Sequence, residues 1–367
     1  MKKIVFIAKT DLNVDGRILN QIKILKNANV LDHLDFILLP DKPYQDTLDY
    51  VKVYNLESRF RKNPIFRIFT VLDTTIKSIK LLSLIKPDIL HVQDTAVVLP
   101  ALIYRWFNGS RFKLIYDDHE LPNENESIQY KIYQFFEKLL MKKSDLILFA
   151  NKERMELVVK QFNLNTKVDY FLNLPYFENS NLEIANDPRF LELDRELSRG
   201  TKLIMHQGSL EVERGREKLA KFSTTLPNNF KILVIGVSKE QFEKFINEYN
   251  LDVNHFYFFG TVSYHLLDQV WSKCIGSIVM YLPTYINNRL CAPNRMYISL
   301  KHGLPVIINK DNPVLHSMVK SLNCGYFIED FEPQQFYELK KENVFSRQLN
   351  SLIEENKIRL STLYKEL

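Results

Sequence analysis

Residues 292–307 read APNRMYISLKHGLPVI, and this stretch decides the fold. Pro293 suits the first position of a helix, where its missing N–H costs no hydrogen bond. Gly303 suits the position just past the helix end, where a left-handed backbone is favoured, and Pro305 prevents the helix from continuing. The apolar run at 305–308 then predicts a short buried strand. The stretch therefore predicts a helix followed directly by a strand.

A second buried strand is predicted before this helix, at residues 276–282 (GSIVMYL). A polar loop that contains Arg289 joins this strand to the helix. The first N–H groups of a helix have no partner within the helix, and the helix dipole places a partial positive charge there. The helix start at Pro293 and Asn294 therefore suits a phosphate group.

The rest of the chain alternates short apolar strands with amphipathic helices. The first half has buried-strand patterns at residues 3–8, 34–39, 51–54, 88–92, 113–117, 146–150 and 168–172. After a polar, acidic interval at 176–200 the alternation resumes, beginning with a strand at 202–206. This order is typical of α/β proteins with parallel sheets, and it predicts two Rossmann-like, doubly wound halves facing each other across a cleft.

Length and composition agree with two domains of ordinary size, because the chain has 367 residues, 46% of them hydrophobic and 25% charged. We place an N-terminal domain at residues 1–175 and a C-terminal domain at 176–345. A charged helix follows at 346–367, with Ser346 as its expected N-cap.

Several classes of protein are disfavoured by simple counts. The three cysteines have neither metal-ligand spacing nor an even disulfide framework, as expected of core residues in a reducing cytosol. No run approaches the ~20 apolar residues of a membrane-spanning helix. The net charge of +5 does not indicate nucleic-acid binding, although it permits attraction to an anionic membrane. We expect a cytoplasmic protein.

The loop GSLEVERG, at residues 208–215, follows the strand at 202–206. Gly208 lets a ligand approach the backbone. Arg214 stands before a predicted helix, where it can neutralise a phosphate, and Lys218 follows one turn later. The loop has neither the Walker Gly-Lys-Ser/Thr nor the Rossmann triple glycine. It indicates a phosphate contact or, alternatively, an ordinary loop with a solvated arginine.

Polar residues follow the predicted strand at 113–117, where Asp117, Asp118, His119 and Glu120 are consecutive. Parallel sheets bind ligands at this edge, and a histidine there can exchange hydrogen bonds with a polar substrate. The alternatives are polar capping of the strand end or a metal held by the two aspartates. Because no second acidic pair completes a metal site, we expect no metal.

Two further loops are predicted at the same edge of the first sheet. Asp11, Asp15 and Arg17 line the first βα loop, and Asp94 follows the strand at 88–92. Each of these is by itself also a common helix cap or loop residue. Their shared placement at strand ends makes them candidates for substrate contacts.

Two clusters combine basic and aromatic residues, at 59–69 and at 104–113. Arginine beside exposed aromatic side chains suits a lipid headgroup surface. The alternative is an amphipathic helix whose aromatic residues are buried and whose arginines are solvated. The clusters thus raise contact with an anionic membrane as one interpretation.

A series of motifs resembles the GT-B glycosyltransferases of the large retaining group called glycosyltransferase family 4. The motifs are KPDILHVQD (86–94), KLIYDDHEL (113–121), SDLILFANKE (144–153), LNLP (172–175), HQGSLEVERG (206–215), FFGTVSY (258–264) and the stretch at 292–307. Each motif is weak alone. Their number, order and spacing cover nearly the whole chain and carry the resemblance.

The resemblance implies that the C-terminal half holds a nucleotide-sugar and the N-terminal half holds an acceptor. His119 matches the family histidine that contacts the transferred sugar, and Arg214 matches the basic residue on the diphosphate. We take His119, Asp15 and Asp118 as candidate catalytic residues. The candidate donor-binding residues are Gly208, Arg214, Lys218, Arg289, Pro293, Asn294 and Arg295. On the acceptor side the candidates are Asp11, Arg17 and Asp94. No cofactor is implied. The resemblance also implies that the helix at 346–367 packs back on the N-terminal domain.

The chain departs from the family at the donor site. The family usually has two glutamates eight positions apart, the second five residues before the glycine that ends the helix. These positions hold Leu290 and Ile298 here, and Ser209 stands where the family usually has an arginine. Losing a carboxylate–hydroxyl contact costs on the order of 1.5–3 kcal/mol. The candidates for other contacts are Asn287, Asn288, Arg289 and Arg295.

The resemblance implies a metal-independent, retaining glycosyltransferase of hexosyltransferase type. By resemblance it would act in bacterial surface polysaccharide biosynthesis, on a glycan or lipid-linked acceptor. Leu290 and Ile298 favour one alternative, a catalytically silent GT-B subunit that assists a partner transferase. A GT-B epimerase acting on a nucleotide-sugar is another alternative, whereas the missing glycine fingerprint disfavours an NAD-dependent enzyme.

Overall fold

The computed structural model describes residues 2–13, 15–40, 42, 44, 48–58, 67–93, 95–121, 128–176, 187–262 and 264–367. The chain divides into two compact units. The first unit is Met1–Asn173 together with Glu354–Leu367, and the second unit is Leu174–Ile353.

The first unit is built on a parallel sheet. Its strands are β1 (Ile4–Thr10), β2 (Leu34–Pro40), β3 (Val51–Asn55), β4 (Ile89–Gln93), β5 (Lys113–Asp118), β6 (Leu146–Phe149) and β7 (Lys167–Tyr170). Its helices are α1 (Gly16–Asn27), α2 (Arg67–Ile85), α3 (Val98–Asn108), α4 (Ile128–Lys143) and α5 (Lys152–Phe162). The strand order is β3-β2-β1-β4-β5-β6-β7, and every neighbouring pair is parallel.

The order of the strands fixes where a ligand can bind in the first unit. The chain passes from β1 to β2 on one side, and from β4 to β5 on the other, so the topological switch point lies between β1 and β4. A crevice forms outside the carboxyl ends of the strands at such a point. β4 and β6 are buried along their whole length, as expected of strands covered on both faces.

The second unit is built on another parallel sheet. Its strands are β8 (Lys202–Gln207), β9 (Phe230–Ile235), β10 (Phe256–Gly260), β11 (Gly276–Val279), β12 (Val306–Ile308) and β13 (Gly325–Phe327). Its helices are α6 (Pro188–Ser198), α7 (Arg216–Ser223), α8 (Lys239–Glu248), α9 (Tyr264–Ser272), α10 (Ile286–Arg289), α11 (Asn294–Lys301) and α12 (Pro313–Leu322). The strand order is β10-β9-β8-β11-β12-β13, which places the switch point between β8 and β11.

The stretch at 292–307 forms the predicted helix and strand, which are α11 and β12. Gly303 follows the helix with φ of 68°, so the left-handed position past the helix end is confirmed. Pro293 is the N-cap rather than the first helical residue, and the helix begins at Asn294. The difference is one residue and leaves the helix start in the loop after β11.

One sequence-based expectation on helices was wrong, and three further helices were not predicted. Helix α13 spans Asn343–Glu366, so Ser346 is not its N-cap, and its hydroxyl donates to the carbonyl of Asn343. The helix begins earlier because Phe345 is buried and packs in its first turn. The interval at 176–200 contains α6, which begins after its cap Asp187. The short helices α10 and α12 were not expected at all.

Helix α13 contributes to both units, with residues 343–353 in the second and 354–366 in the first. In the first unit, Asn356 exchanges two hydrogen bonds of 3.0 Å with the backbone of Leu172, and Arg359 pairs with Asp169 at 2.9 Å. Across the described ranges, each helix is too short or too polar to cross a membrane.

Candidate active site

In the second unit, the loops after β8 and β11 emerge side by side at the switch point. Gly208 follows β8 with φ of 104°, and a Cβ there would lie 3.3 Å from Nη1 of Arg295. Nη1 of Arg295 donates to the carbonyl oxygen of Gln207 at 2.5 Å. A glycine at 208 therefore lets the guanidinium of Arg295 lie against the backbone that follows β8.

Two arginines contact the ring of Tyr281, which follows β11. The guanidinium carbon of Arg214 lies 4.1 Å from the ring centroid, and that of Arg295 lies 4.9 Å from it. Nη1 of Arg214 and Nη2 of Arg295 are buried and have no hydrogen-bond partner among the described residues. Buried donors normally have partners. The pair therefore offers N–H groups and two positive charges to an anion.

The charges of the same two arginines help to lower the pKa of a neighbouring histidine, His206. His206 lies in β8 and is 1% exposed. Burial, followed by the charges of Arg295 and Arg214, lowers its pKa to about 3, although the backbone of Ser209 acts in the opposite direction. The imidazole is thus neutral at physiological pH. The site keeps its positive charge on the two arginines.

The remaining donor-side candidates lie around this pair. Lys218 forms ion pairs with Glu329 and, at 3.4 Å, with Asp311, so its charge is already engaged. Arg289 is exposed at the end of α10, and Asn294 is the first residue of α11. The structure thus brings Arg214, Arg295 and Gly208 together, while Lys218 faces acidic partners.

The two positions that lack the family glutamates hold apolar side chains. Ile298 is 4% exposed and packs in a core cluster with Met205 and Trp271. Leu290 is the C-cap of α10, and its N–H donates to the carbonyl of Ile286 at 2.9 Å. Neither side chain supplies a polar group to a ligand.

The first unit contains a buried polar network around Asp117. The carboxylate of Asp117 is fully buried and accepts hydrogen bonds from Arg17 at 2.7 and 3.3 Å and from Gln21 at 2.5 Å. Burial alone would raise the pKa of Asp117. The positive charge of Arg17, with smaller contributions from His119 and His91, outweighs burial and holds this pKa well below its usual range. Asp117 is therefore ionised.

Two glutamines connect this carboxylate to His119. Nε2 of Gln93 donates to Oε1 of Gln21 at 2.7 Å, and Oε1 of Gln93 lies 2.6 Å from Nε2 of His119. The same Nε2 of His119 lies 3.4 Å from Asp117. The side chain of His119 is 18% exposed. Among the described residues of this network, His119 is therefore the one that a substrate can contact.

A second histidine, His91, lies next to Asp117 and Gln93. His91 is fully buried in β4, with Nε2 3.6 Å from Asp117 and Nδ1 hydrogen-bonded to the hydroxyl of Tyr364 in α13. Burial lowers the pKa of His91, and Asp117 acts against it. Burial also raises the pKa of Tyr364 well above its usual value. Helix α13 therefore supplies one partner of the network.

The other first-unit candidates have structural partners. Asp15 caps α1, accepting from the N–H of Ile18 at 3.1 Å and from the hydroxyl of Thr10 at 2.7 Å. Asp11 accepts two hydrogen bonds from Asn13. These contacts order the loop after β1.

The remaining first-unit candidates are Arg17, Asp118 and Asp94. Arg17 is buried by its pairing with Asp117. Asp118 is buried and points to the opposite face of β5 from Asp117, because side chains alternate along a strand. Asp94 lies outside the described residues.

Sequence reasoning missed Gln21, His91 and Gln93. Two signals for them are present in the chain. His91 and Gln93 are polar residues two apart in an otherwise apolar strand, so they share one face. Gln21 follows Arg17 by four residues, which places both on one face of α1. Polar residues on a buried face are the signature of a network.

In the part of the chain that the structure describes, no group of three or more His, Cys, Asp or Glu side chains is arranged to hold a metal ion. Among the described residues, the charged groups in contact at the two candidate sites include Arg17 with Asp117 in the first unit and Arg214 with Arg295, on the ring of Tyr281, in the second.

One relative by sequence is a protein of Methanocaldococcus jannaschii named an uncharacterized glycosyltransferase, with 23% identity over 265 residues. The match covers 69% of this chain and 64% of that relative, so the chain matches less than two thirds of the relative's length. No protein-family model matches the chain.

Solved structures resemble the whole chain. Sucrose-phosphate synthase from Thermosynechococcus elongatus has a TM-score of 0.71 at 14% identity, covering 100% of this chain and 99% of that one. HepE of Anabaena, solved with UDP-glucose, has a TM-score of 0.61 at 14% identity, covering 100% and 95%. WaaG, a glycosyltransferase involved in lipopolysaccharide biosynthesis, has a TM-score of 0.60 at 13% identity, covering 98% and 95%. The predicted α/β fold of the GT-B type and the resemblance to glycosyltransferases are thus confirmed.

Proposed function

We propose that this protein is a glycosyltransferase that moves a sugar from a nucleotide-sugar to a glycan or lipid-linked acceptor. The observation that carries the proposal is the pair Arg214 and Arg295, whose buried N–H groups lack partners among the described residues. Two guanidinium groups beside a neutral histidine repel each other, and a diphosphate would relieve that repulsion. HepE, which has the same fold, was solved with UDP-glucose.

The second unit would hold the donor. The diphosphate would lie against Arg214 and Arg295, close to the backbone at Gly208 and the start of α11 at Asn294. As the bond from the sugar to the phosphate breaks, negative charge grows on the leaving diphosphate. Fixed arginines stabilise that charge without rearranging, so we propose that the reaction needs no metal or cofactor.

The first unit would hold the acceptor, with His119 at the transferred sugar. In a retaining front-face displacement, the acceptor oxygen bonds to the anomeric carbon on the side from which the phosphate leaves. The acceptor's proton passes to an oxygen of the leaving phosphate, so no protein nucleophile is required. The proposed acceptor-side residues are Asp11 and Arg17, in the loop after β1 and at the start of α1, together with Asp94, which lies outside the described residues.

Donor affinity would rest on the diphosphate more than on the ribose. Ile298 packs in the core, so the usual carboxylate contact to the ribose has no counterpart at this position. That loss costs on the order of 1.5–3 kcal/mol, the same range as one added charge-assisted hydrogen bond. We propose that Arg295 compensates for it.

We also propose peripheral contact with an anionic membrane through helices α2, α3 and α4. Helix α3 packs between the other two. All three expose large apolar side chains, which are Ile68, Phe69, Leu72, Ile76, Leu84, Trp106, Phe107, Ile132, Tyr133 and Phe135. Trp106 and Phe107 are 85% and 81% exposed. An apolar face this large marks an interaction site.

The charge of the same helices favours anionic lipid as the partner. Their sequences contain eight Lys or Arg residues, three in α2, one in α3 and four in α4. Their two acids are Asp73, which pairs with Lys77, and Glu137, which is buried against Tyr116. Basic residues around exposed aromatic rings suit headgroups. Residues 59–66 of the first predicted cluster lie outside the described residues, and Tyr104 and Phe112 of the second are core residues.

Donor binding and transfer test the main proposal. Calorimetry with UDP and GDP should show binding to one of them, and Arg214→Ala and Arg295→Ala should each weaken it about tenfold to a hundredfold, as expected for a charge-assisted hydrogen bond of about 1.5–3 kcal/mol. Arg199→Ala, at an exposed arginine of the same unit, is the control. Unchanged affinity in both site variants would remove the proposed donor site.

A second assay separates the proposal from its main alternative. Leu290 and Ile298 favour a silent subunit that assists a partner transferase. A panel of radiolabelled nucleotide-sugars with extracted lipid acceptors should yield a labelled product if the protein is an enzyme. Absence of transfer and of hydrolysis across the panel, together with a co-purifying transferase, would support the silent subunit instead.

A further inference from the structure

The buried network of the first unit defines which nitrogen of His119 carries the proton. Asp117 is ionised, so both of its oxygens accept hydrogen bonds and neither donates. Gln21 must therefore turn its amide nitrogen toward Asp117, at 2.5 Å. Its other end, Oε1, then faces Gln93. The charge of Asp117 thus sets the orientation of Gln21.

The orientation of Gln93 is fixed by the same argument. Because Oε1 of Gln21 is an acceptor, Gln93 must turn its own amide nitrogen toward it, at 2.7 Å. Oε1 of Gln93 then faces Nε2 of His119 at 2.6 Å. An amide oxygen only accepts, and so does Asp117, which lies 3.4 Å from the same Nε2. Nε2 must carry a hydrogen.

We propose that Gln93 is a positioning residue that holds His119 as the Nε2–H tautomer. This inference rests on the proposed function, in which His119 contacts the transferred sugar. In this tautomer Nε2–H donates to Gln93, and Nδ1 is left as a hydrogen-bond acceptor. The chemistry recognised by His119 is therefore a donor, and a sugar hydroxyl supplies one. A carbonyl or phosphate oxygen would find no partner on that nitrogen.

The proposed positioning has a consequence for turnover. If His119 exchanges tautomers, Nδ1 carries a hydrogen for part of the time. In that state Nδ1 cannot accept a hydrogen bond from the sugar hydroxyl. The ring also loses a fixed orientation, and small displacements at a reacting centre reduce rates strongly. We expect removal of the Gln93 amide to lower the rate of transfer about tenfold or more while leaving nucleotide affinity, which resides in the second unit, unchanged.

Nitrogen-15 NMR of the whole protein tests the tautomer directly. In protein labelled at histidine, the signal of His119, assigned by its loss in His119→Asn, should show a protonated Nε2 and an unprotonated Nδ1 at neutral pH. Gln93→Met, of similar size but without the amide, should give a mixture of tautomers.

The outcomes separate this inference from the proposed function. Nδ1–H in the wild type, or an undisturbed Nε2–H in Gln93→Met, would overturn the role of Gln93. Both results are independent of turnover. If the tautomer behaves as expected but no donor is transferred, the network is correct and the glycosyltransferase proposal fails. A far-ultraviolet circular dichroism spectrum like that of the wild type shows that Gln93→Met is folded.

Discussion

At the scale of single residues, Asp117 and Asp118 are neighbours at the end of β5. From the sequence we took Asp118, together with His119 and Asp15, as candidate catalytic residues. The structure places Asp117, not Asp118, in contact with Arg17, Gln21 and His119. Alternation shows that the two carboxylates face opposite ways. Which face carries α1 depends on the crossover direction, which one sequence does not specify.

His206 gives a residue-scale prediction on pH. Its pKa is about 3 in the folded protein and about 6.5 in the unfolded chain, so below pH 6.5 the unfolded state binds the extra proton. Stability of the second unit should therefore fall as the pH is lowered from 6.5 toward 3, by up to about 1.4 kcal/mol per pH unit from this group. His206→Gln should remove that contribution.

Denaturant unfolding between pH 6.5 and 4.5 measures this effect. Trp271 is buried in the second unit, so its fluorescence reports on that unit, while Trp106 is exposed in the first. Comparing both proteins at each pH cancels the titration of carboxylates. Equal pH dependence in wild type and His206→Gln would contradict the lowered pKa.

At the scale of elements, helix boundaries that depend on proline or glycine could be predicted from the sequence. Helix boundaries that depend on tertiary packing could not. The helix α11 and its end at Gly303 follow from proline and glycine positions, and they were confirmed. The start of α13 was misplaced because Ser346 is a good cap by type, whereas Phe345 must be buried. Helix α12 has a cap and a proline, Asn312 and Pro313, which sequence reasoning overlooked.

Gly303 gives an element-scale prediction. Its φ of 68° disfavours a side chain by about 1–2 kcal/mol, and a Cβ would lie 3.0 Å from the carbonyl oxygen of Glu342. Gly303→Ala should therefore lower the unfolding free energy of the second unit by at least that amount. The matched control is Gly276→Ala, where the nearest atom to the new Cβ is 3.6 Å away. Similar thermal midpoints in the two variants would count against the strain at position 303.

At the scale of the whole molecule, the alternation of strands and helices predicted two parallel sheets, and the motif series predicted their GT-B type. Solvent exposure was less predictable. Both basic-aromatic clusters suggested a surface, yet Tyr104 and Phe112 are buried while Trp106 and Phe107 are exposed. Tyr104, Trp106 and Phe107 all lie on α3, and they differ in which side of the helix they occupy. Which side is buried depends on where the helix packs against the sheet.

The exposed face of α2, α3 and α4 gives a whole-molecule prediction. The protein should sediment with vesicles that contain anionic phosphatidylglycerol and not with neutral phosphatidylcholine vesicles. Added salt should weaken the binding, because each lysine or arginine at the surface contributes about 1 kcal/mol by electrostatics. The double variant Trp106→Glu, Phe107→Glu should weaken it at least tenfold, since it replaces exposed apolar area with charge.

Tyr337→Glu, at an exposed aromatic residue of the second unit, is the control for that experiment. A result in which the double variant changes a dimer into a monomer, with no vesicle binding by the wild type, would identify the face as an interface between copies of the chain.

The contact between His91 and Tyr364 joins residues 273 positions apart. A ribosome that adds about 5–20 residues per second needs about 15–55 s to make that length of chain. For most of this interval, once β7 has been completed at Tyr170, the first unit has its strands but lacks the hydroxyl that partners a fully buried histidine. Its polar centre is therefore completed only after the second unit has been synthesised. Synthesis order thus makes the N-terminal unit the first to begin folding and the last to finish.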